Sequence, residues 1–225
     1  MIEILHKGDI TQIHGWDVPL VDVVTGGSPC QDLSVAGKRA GLDGERSGLF
    51  MEQLRIIKEM RDESRKQVSD EGADFAVRNI KPRYMVWENV AGAFSSPGQK
   101  DGEDHRGEDF QAVLTEIVRV VKSDAPDVPL PEDRRWPKSG CLMGIGEDGQ
   151  PFSVAWRLHD AQFWGVPQRR KRIALVADFG GESAPEILFE RKGVSGDSES
   201  CGEKGEGTSV TPKRNPNSPI SLFDL

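Results

Sequence analysis

Val21-Asp22-Val23-Val24-Thr25-Gly26-Gly27-Ser28-Pro29-Cys30-Gln31 is the stretch on which the fold class turns. A β-branched run that stops at two glycines and a proline reads as a buried strand emptying into a tight loop. In open α/β sheets, ligands lie just outside the carboxyl ends of the strands, so the first residues of such a loop face the chemistry. The glycines let backbone or ligand come close, and Pro29, with its fixed φ, stiffens the approach to the Cys30 thiol. A free cysteine at a strand end is most often a small apolar packing residue. Cys30 is read as a nucleophile only with partners from elsewhere in the chain.

Outward from that strand the pattern alternates. Ser34 to Arg46 is rich in glycine and charge and reads as a mobile loop. Leu49, Phe50, Leu54 and Ile57 then fall at helical spacing, with Glu52, Arg55, Lys58 and Glu59 on the other face. Tyr84-Met85-Val86-Trp87 is a second short buried strand, ending at Glu88-Asn89-Val90. After a polar loop over Ser95 to Gly107, the stripe Phe110, Val113, Leu114, Ile117, Val118 and Val121 is the clearest helix of the sequence. Strand, helix, strand, helix predicts a parallel α/β sheet.

Phe152 to Ala161 and Arg172 to Ala177 read as two further strands. The link between them, which ends in Gln168-Arg169-Arg170-Lys171, is too short for a helical crossover, so the pair is expected as an antiparallel hairpin at the sheet edge. Gly144-Ile145-Gly146 lacks the third glycine and the following helix of a phosphate loop, and reads as a hairpin turn. From about Gly180, Gly, Ser, Glu, Lys and Pro dominate. The expected organisation is therefore one domain over residues 1–180 and a polar, disordered tail over 181–225.

Composition excludes several classes. The 225 residues are 36% hydrophobic and 29% charged, with no apolar run long enough to span a membrane. Cys30, Cys141 and Cys201 are odd in number and widely spaced, which argues against a disulfide framework or a zinc site and for a reducing cytoplasm. The net charge of −8 disfavours broad, nonspecific nucleic-acid binding but leaves room for a local basic groove. Glu88, at a strand end, is either a solvated acid or an acid facing the same pocket as Cys30. The run Gln168 to Arg172 is either an exposed basic turn or a fork of guanidinium donors aimed at a base or a phosphate.

Joint occurrence favours the chemical readings. Gly26-Gly27-Ser28-Pro29-Cys30-Gln31-Asp32-Leu33-Ser34, Arg46-Ser47-Gly48-Leu49-Phe50, Glu88-Asn89-Val90 and Gln168-Arg169-Arg170-Lys171-Arg172 resemble, in order and spacing, the DNA cytosine-5 methyltransferases of bacteria and phages. Gly8-Asp9-Ile10-Thr11 is similar to the family's adenine-holding segment. The resemblance spans Gly8 to Phe179. It implies a partial Rossmann-like S-adenosylmethionine-dependent methyltransferase core acting on double-stranded DNA. Cys30 would supply the thiolate that adds to the cytosine ring, and Glu88 would pair with the ring N3, held in place by Asn89. Arg172 would contact the cytosine carbonyl while Arg170 braces the pocket. Asp9, Ile10 and the Pro29 region would touch the cofactor. The target base would be flipped out of the duplex, with Ser34 to Arg46 closing over it.

Two family elements have no counterpart here: the Gly-rich cofactor segment expected upstream, and the recognition domain expected after the hairpin. The expectation is a fragment that binds S-adenosylmethionine weakly on its own and works with a complementing methyltransferase polypeptide. The alternative is a non-catalytic remnant or partner-binding subunit of a split enzyme. A Cys30–His159 hydrolase is disfavoured, because nothing orients His159 and no oxyanion motif is evident.

Overall fold

The computed structural model describes residues 4–28, 48–68, 80–94, 99–100, 103–165, 167–189 and 220–221. The first strand, β1 (Val23–Gly26), leads through α1 (Leu49–Val68) to β2 (Tyr84–Val90), and the two strands pair in parallel. A small hairpin, β3 (Gln99–Lys100) and β4 (Glu103–Asp104), precedes α2 (Glu108–Val118). Then β5 (Ser139–Ile145), β6 (Pro151–Asp160) and β7 (Lys171–Asp178) follow, and α3 (Ala184–Leu188) comes after them. With β8 (Ile220–Ser221), the main sheet runs β1-β2-β7-β6-β5-β8. This is a mixed α/β sheet. Its parallel β1–α1–β2 unit is the part the alternating sequence pattern predicts.

The strand β1, read from the sequence as buried, is the edge strand of the sheet with Val23 exposed, and sequence and structure differ in three further places. The β6–β7 hairpin is antiparallel as expected, yet it lies inside the sheet, with β7 against β2 and β5 outside β6. The reason is β5, which the sequence reading passed over. Its Gly140 and Gly144 carry no side chains of their own and lie under the rings of their cross-strand partners Trp156 and Phe152. Gly144 and Ile145 therefore end a strand, and the turn itself begins at Gly146, whose N–H donates to the Gln150 carbonyl at 2.8 Å. Third, the ordered domain continues past residue 180 through α3, where Ala184 is fully buried against the sheet. The rest of the expected tail, β8 apart, lies outside the described residues, as does Ser34 to Arg46.

Helices cover both faces of the sheet. Phe50, Leu54 and Ile57 of α1 and Phe110, Leu114 and Ile117 of α2 pack with Met85, Trp87, Trp156 and Leu175 in the main core. The Phe110 ring meets Phe94, Trp136 and Trp156 edge-on, at centroid distances of 4.7, 5.3 and 5.6 Å. On the opposite face, Cys141, Ala155, Val176 and Ala184 form a smaller cluster. Arg61 of α1 is buried and donates to the carbonyls of Pro82 (2.8 Å) and Phe179 (3.2 Å), tying the helix to the far end of the sheet. Burial pulls its pKa down to about 10, which leaves it charged at neutral pH.

That far end is closed by Asp178, which is fully buried. It accepts from Arg83 Nε and Nη2 at 2.8 and 2.9 Å and from the Ser183 hydroxyl at 2.6 Å. Burial alone pushes this carboxyl up, but Arg83, Ser183 and the Gly180 N–H outweigh burial and hold it below the usual carboxylate range. A lowered native pKa adds stability above the unfolded value, and that stability is lost as the pH falls through the native one. Asp178→Asn should therefore lower unfolding stability by about 2–4 kcal/mol at neutral pH. The difference should shrink below about pH 4. Urea titrations at the two pH values check this, and coincident midpoints at neutral pH would refute the role.

Candidate active site

The site is built where β1 and β2 end side by side. Along β2, Met85, Trp87 and Asn89 turn into the core while Val86 and Glu88 face the other way, the period-2 alternation of a strand. The buried Trp87 and Asn89 both reach Ser28, two residues beyond β1. Trp87 Nε1 donates to Ser28 Oγ at 3.1 Å, and Asn89 Nδ2 donates to the Ser28 carbonyl at 3.0 Å. Asn89 Oδ1 in turn accepts from the Val90 N–H at 2.8 Å, which locks the amide orientation. Glu88, half-exposed, approaches from the other face. A Cβ on Gly27 would stand 3.3 Å from its Oε2, so the glycine lets the acid lie against the loop.

Across the sheet, Val90 is the register partner of Arg172 at the start of β7. From there Arg172 Nε lies 2.8 Å from Glu88 Oε1. The structure thus brings together Glu88, Asn89 and Arg172 beside Gly27 and Ser28. It does not bring Arg170 to them. That residue sits opposite Ala161 in the hairpin turn, its guanidinium exposed and its N–H on Asp160 Oδ1 at 3.2 Å. Pro29 and Cys30 lie outside the described residues. Cys141, by contrast, is buried in β5, where burial pushes its thiol up and away from thiolate chemistry.

A cavity of about 260 Å³ opens at the same strand ends, between β1, α1 and the turn Ile10–Gln12. Ile10, Val24, Gly26, Leu49 and Ile56 line it, with Gln53 among them. Asp9 caps the Ile10 turn, accepting from the N–H and hydroxyl of Thr11 at 2.9 Å each, and these bonds hold its carboxyl below the usual range. Ile10 is thereby placed in the cavity wall, whereas Asp9 is exposed and outside the lining.

Residues that the sequence reading took only as the polar face of α1 fasten this wall. Arg55 donates to the carbonyls of Ile10 and Ile13 at 3.2 and 2.8 Å and pairs with Glu52 and Glu59. Glu59 accepts from the Gly15 N–H at 2.6 Å. Burial raises its carboxyl, but Gly15 and Arg55 together bring it below the usual range. The i, i+4 spacing of Arg55 and Glu59 was visible in the sequence; their partners, more than forty residues away, were not.

Residues 2–96 match the model of the family described as C-5 cytosine-specific DNA methylase. Similar proteins extend the likeness beyond that segment. A type II methyltransferase of Lactococcus lactis subsp. cremoris (M1.ScrFI) is 51% identical over 189 residues, 84% of this chain and 31% of that protein. One of Neisseria gonorrhoeae (M.NgoBV) is 28% identical over 81% of this chain and 31% of its own length. A protein of Escherichia phage P1 named DNA N-6-adenine-methyltransferase is 31% identical over 85% of this chain and 25% of its own length. These likenesses support the C-5 cytosine-specific DNA methylase family for a part of this chain's length. The chain spans between a quarter and a third of the length of these three relatives.

Asn89 makes a specific mutational test. Asn89→Asp keeps the shape but sets a second acceptor against the Ser28 carbonyl. Stability should fall by about 2 kcal/mol, with a larger loss above the carboxylate range than below it. Chemical denaturation at acid and neutral pH measures this. An unchanged midpoint at both pH values would mean that the Ser28 contact holds nothing.

Proposed function

We propose that this chain carries the cytosine pocket of a DNA cytosine-5 methyltransferase. The observation that carries the reading is the convergence of Glu88, Asn89 and Arg172 beside Gly27-Ser28, immediately before Cys30. The phage P1 relative's name points to adenine, but the family match and the Pro29-Cys30 and Glu88-Asn89 motifs favour cytosine.

Carbon 5 of cytosine is a poor nucleophile until a thiolate has added at carbon 6. In this reading the Cys30 Sγ–C6 bond forms while Glu88 holds a proton at N3, so the added electron pair is delocalised to carbon 5. Arg172, released from its ion pair with Glu88, turns its guanidinium to the cytosine carbonyl. When bound, S-adenosylmethionine supplies the methyl group as an electrophile. Loss of the carbon 5 proton and cleavage of the Sγ–C6 bond then return the thiolate. A stacked base cannot enter such a pocket, so the cytosine is flipped from double-stranded DNA.

The residues present fit the adenosyl end of S-adenosylmethionine. Ile10, Leu49 and Ile56 offer apolar walls, and a buried amide nitrogen, Gln53 Nε2, has no hydrogen-bond partner among the described residues. A complementing polypeptide remains part of the proposal, because few of the described cavity residues offer polar groups for the rest of that molecule.

The test is a graft. Residues 4–189 replace the matching segment of the Lactococcus methyltransferase, and DNA methylated with labelled cofactor is digested to nucleosides. The product should be 5-methylcytosine, and Glu88→Gln should slow single-turnover transfer by roughly 10²–10⁴-fold. A folded, cofactor-binding graft that yields N6-methyladenine, or a Glu88→Gln rate within a few-fold of its parent, would contradict the proposal.

A further inference from the structure

We propose that Gln53 is the residue that hydrogen-bonds the purine ring of the adenosyl group, an inference that rests on reading the cavity at the end of β1 as the cofactor's adenosyl site. Leu49, Gln53 and Ile56 lie at i, i+4 and i+7 on α1, so one helix face supplies all three to the cavity. Beside the apolar Ile10, Val24 and Leu49 and the hydroxyl-bearing Thr25 and Ser28, Gln53 is the lining residue that brings a primary amide. Gln53 is only 5% exposed, and its buried Nε2 has no partner among the described residues. A buried N–H left unbonded is costly, and a methionine or leucine would fill the same space without that cost.

The backbone is shaped to admit this amide. A Cβ on Gly26 would lie 2.7 Å from Gln53 Nε2 and still closer to Oε1, so a side chain at position 26 would push the amide from where it stands. The absence of a side chain at position 26 and the unpaired amide are two sides of one contact. A primary amide offers one acceptor and two donors, and a half-turn about its last bond exchanges them in place. That set complements the exocyclic amine and adjacent ring nitrogen of adenine. The aliphatic walls then contact the faces of the ring, the usual division of labour in a small-molecule pocket.

The experiment is a titration of the ¹⁵N-labelled chain with adenosine at millimolar concentrations, with methionine as the control. The side-chain amide signal of Gln53, identified by its loss in Gln53→Met, should move with adenosine and stay still with methionine. Gln53→Met should weaken adenosine binding about tenfold, while the thermal midpoint of the unliganded chain stays level or rises. Shifts at Ile10 and Gly26 without movement of the Gln53 amide, or unchanged affinity in Gln53→Met, would overturn the role of Gln53 and leave the cavity reading standing. No shift at any cavity residue would overturn the cavity reading itself, and the inference with it.

Discussion

Everything at the candidate site depends on how β2 grips the first residues beyond β1. Asn89 and Trp87, both buried, each direct a hydrogen bond at Ser28, while Glu88 closes on Gly27 from the opposite face of the strand. Three consecutive residues of β2 therefore position the start of the segment that carries Cys30. The grip works because alternation along a strand sends neighbouring side chains to opposite faces. Parallel pairing sets Gly26, the last residue of β1, opposite Trp87, so that Glu88 and Asn89 of β2 lie beside Gly27 and Ser28.

The remaining contacts keep that geometry from drifting. Arg55 and Glu59 fasten the Ile10 and Gly15 turns onto α1, which sets the cavity wall at one end of the sheet. Arg61 and Asp178 tie the opposite end, where α1, β2, β7 and α3 meet. Between the two ends lies the aromatic core around Phe110 and Trp156. The β7 strand joins both regions: its second residue, Arg172, reaches Glu88, and its last is Asp178.

Much of this was legible in the residues. The apolar stripes of both long helices and the link of the hairpin gave a correct local reading, because each rests on periodicity or on a short connection, whereas the Val23–Thr25 run is a strand as read but not a buried one, since a β-branched run looks the same at a sheet edge as at its centre. Glu88, Asn89 and Arg172 were found as members of motifs, and the sheet register brings them together. β5 was hidden because Gly140 and Gly144 depress strand propensity, and only the cross-strand rings of Trp156 and Phe152 make up for them. Gln53 and Arg55 looked like ordinary positions on an amphipathic helix. What distinguishes them is contact with Gly26, Ile10 and Ile13, and such long-range pairing has no local signature. Arg170, placed in the pocket by its motif position, is exposed, and its bonds among the described residues are those its backbone makes with Ala161 and Asp160 in the turn.

In the proposed reaction Cys30, two residues beyond Ser28 in the chain, is the nucleophile that works with Glu88. Covalent trapping measures this most directly. Duplex DNA containing 5-fluorocytosine is incubated with the grafted segment and S-adenosylmethionine, since fluorine blocks the elimination that would free the enzyme. The account predicts a stable protein–DNA adduct that maps by mass spectrometry to the Cys30 peptide and vanishes in Cys30→Ser. An adduct that survives Cys30→Ser, or one that maps to Cys141 or Cys201, would contradict it.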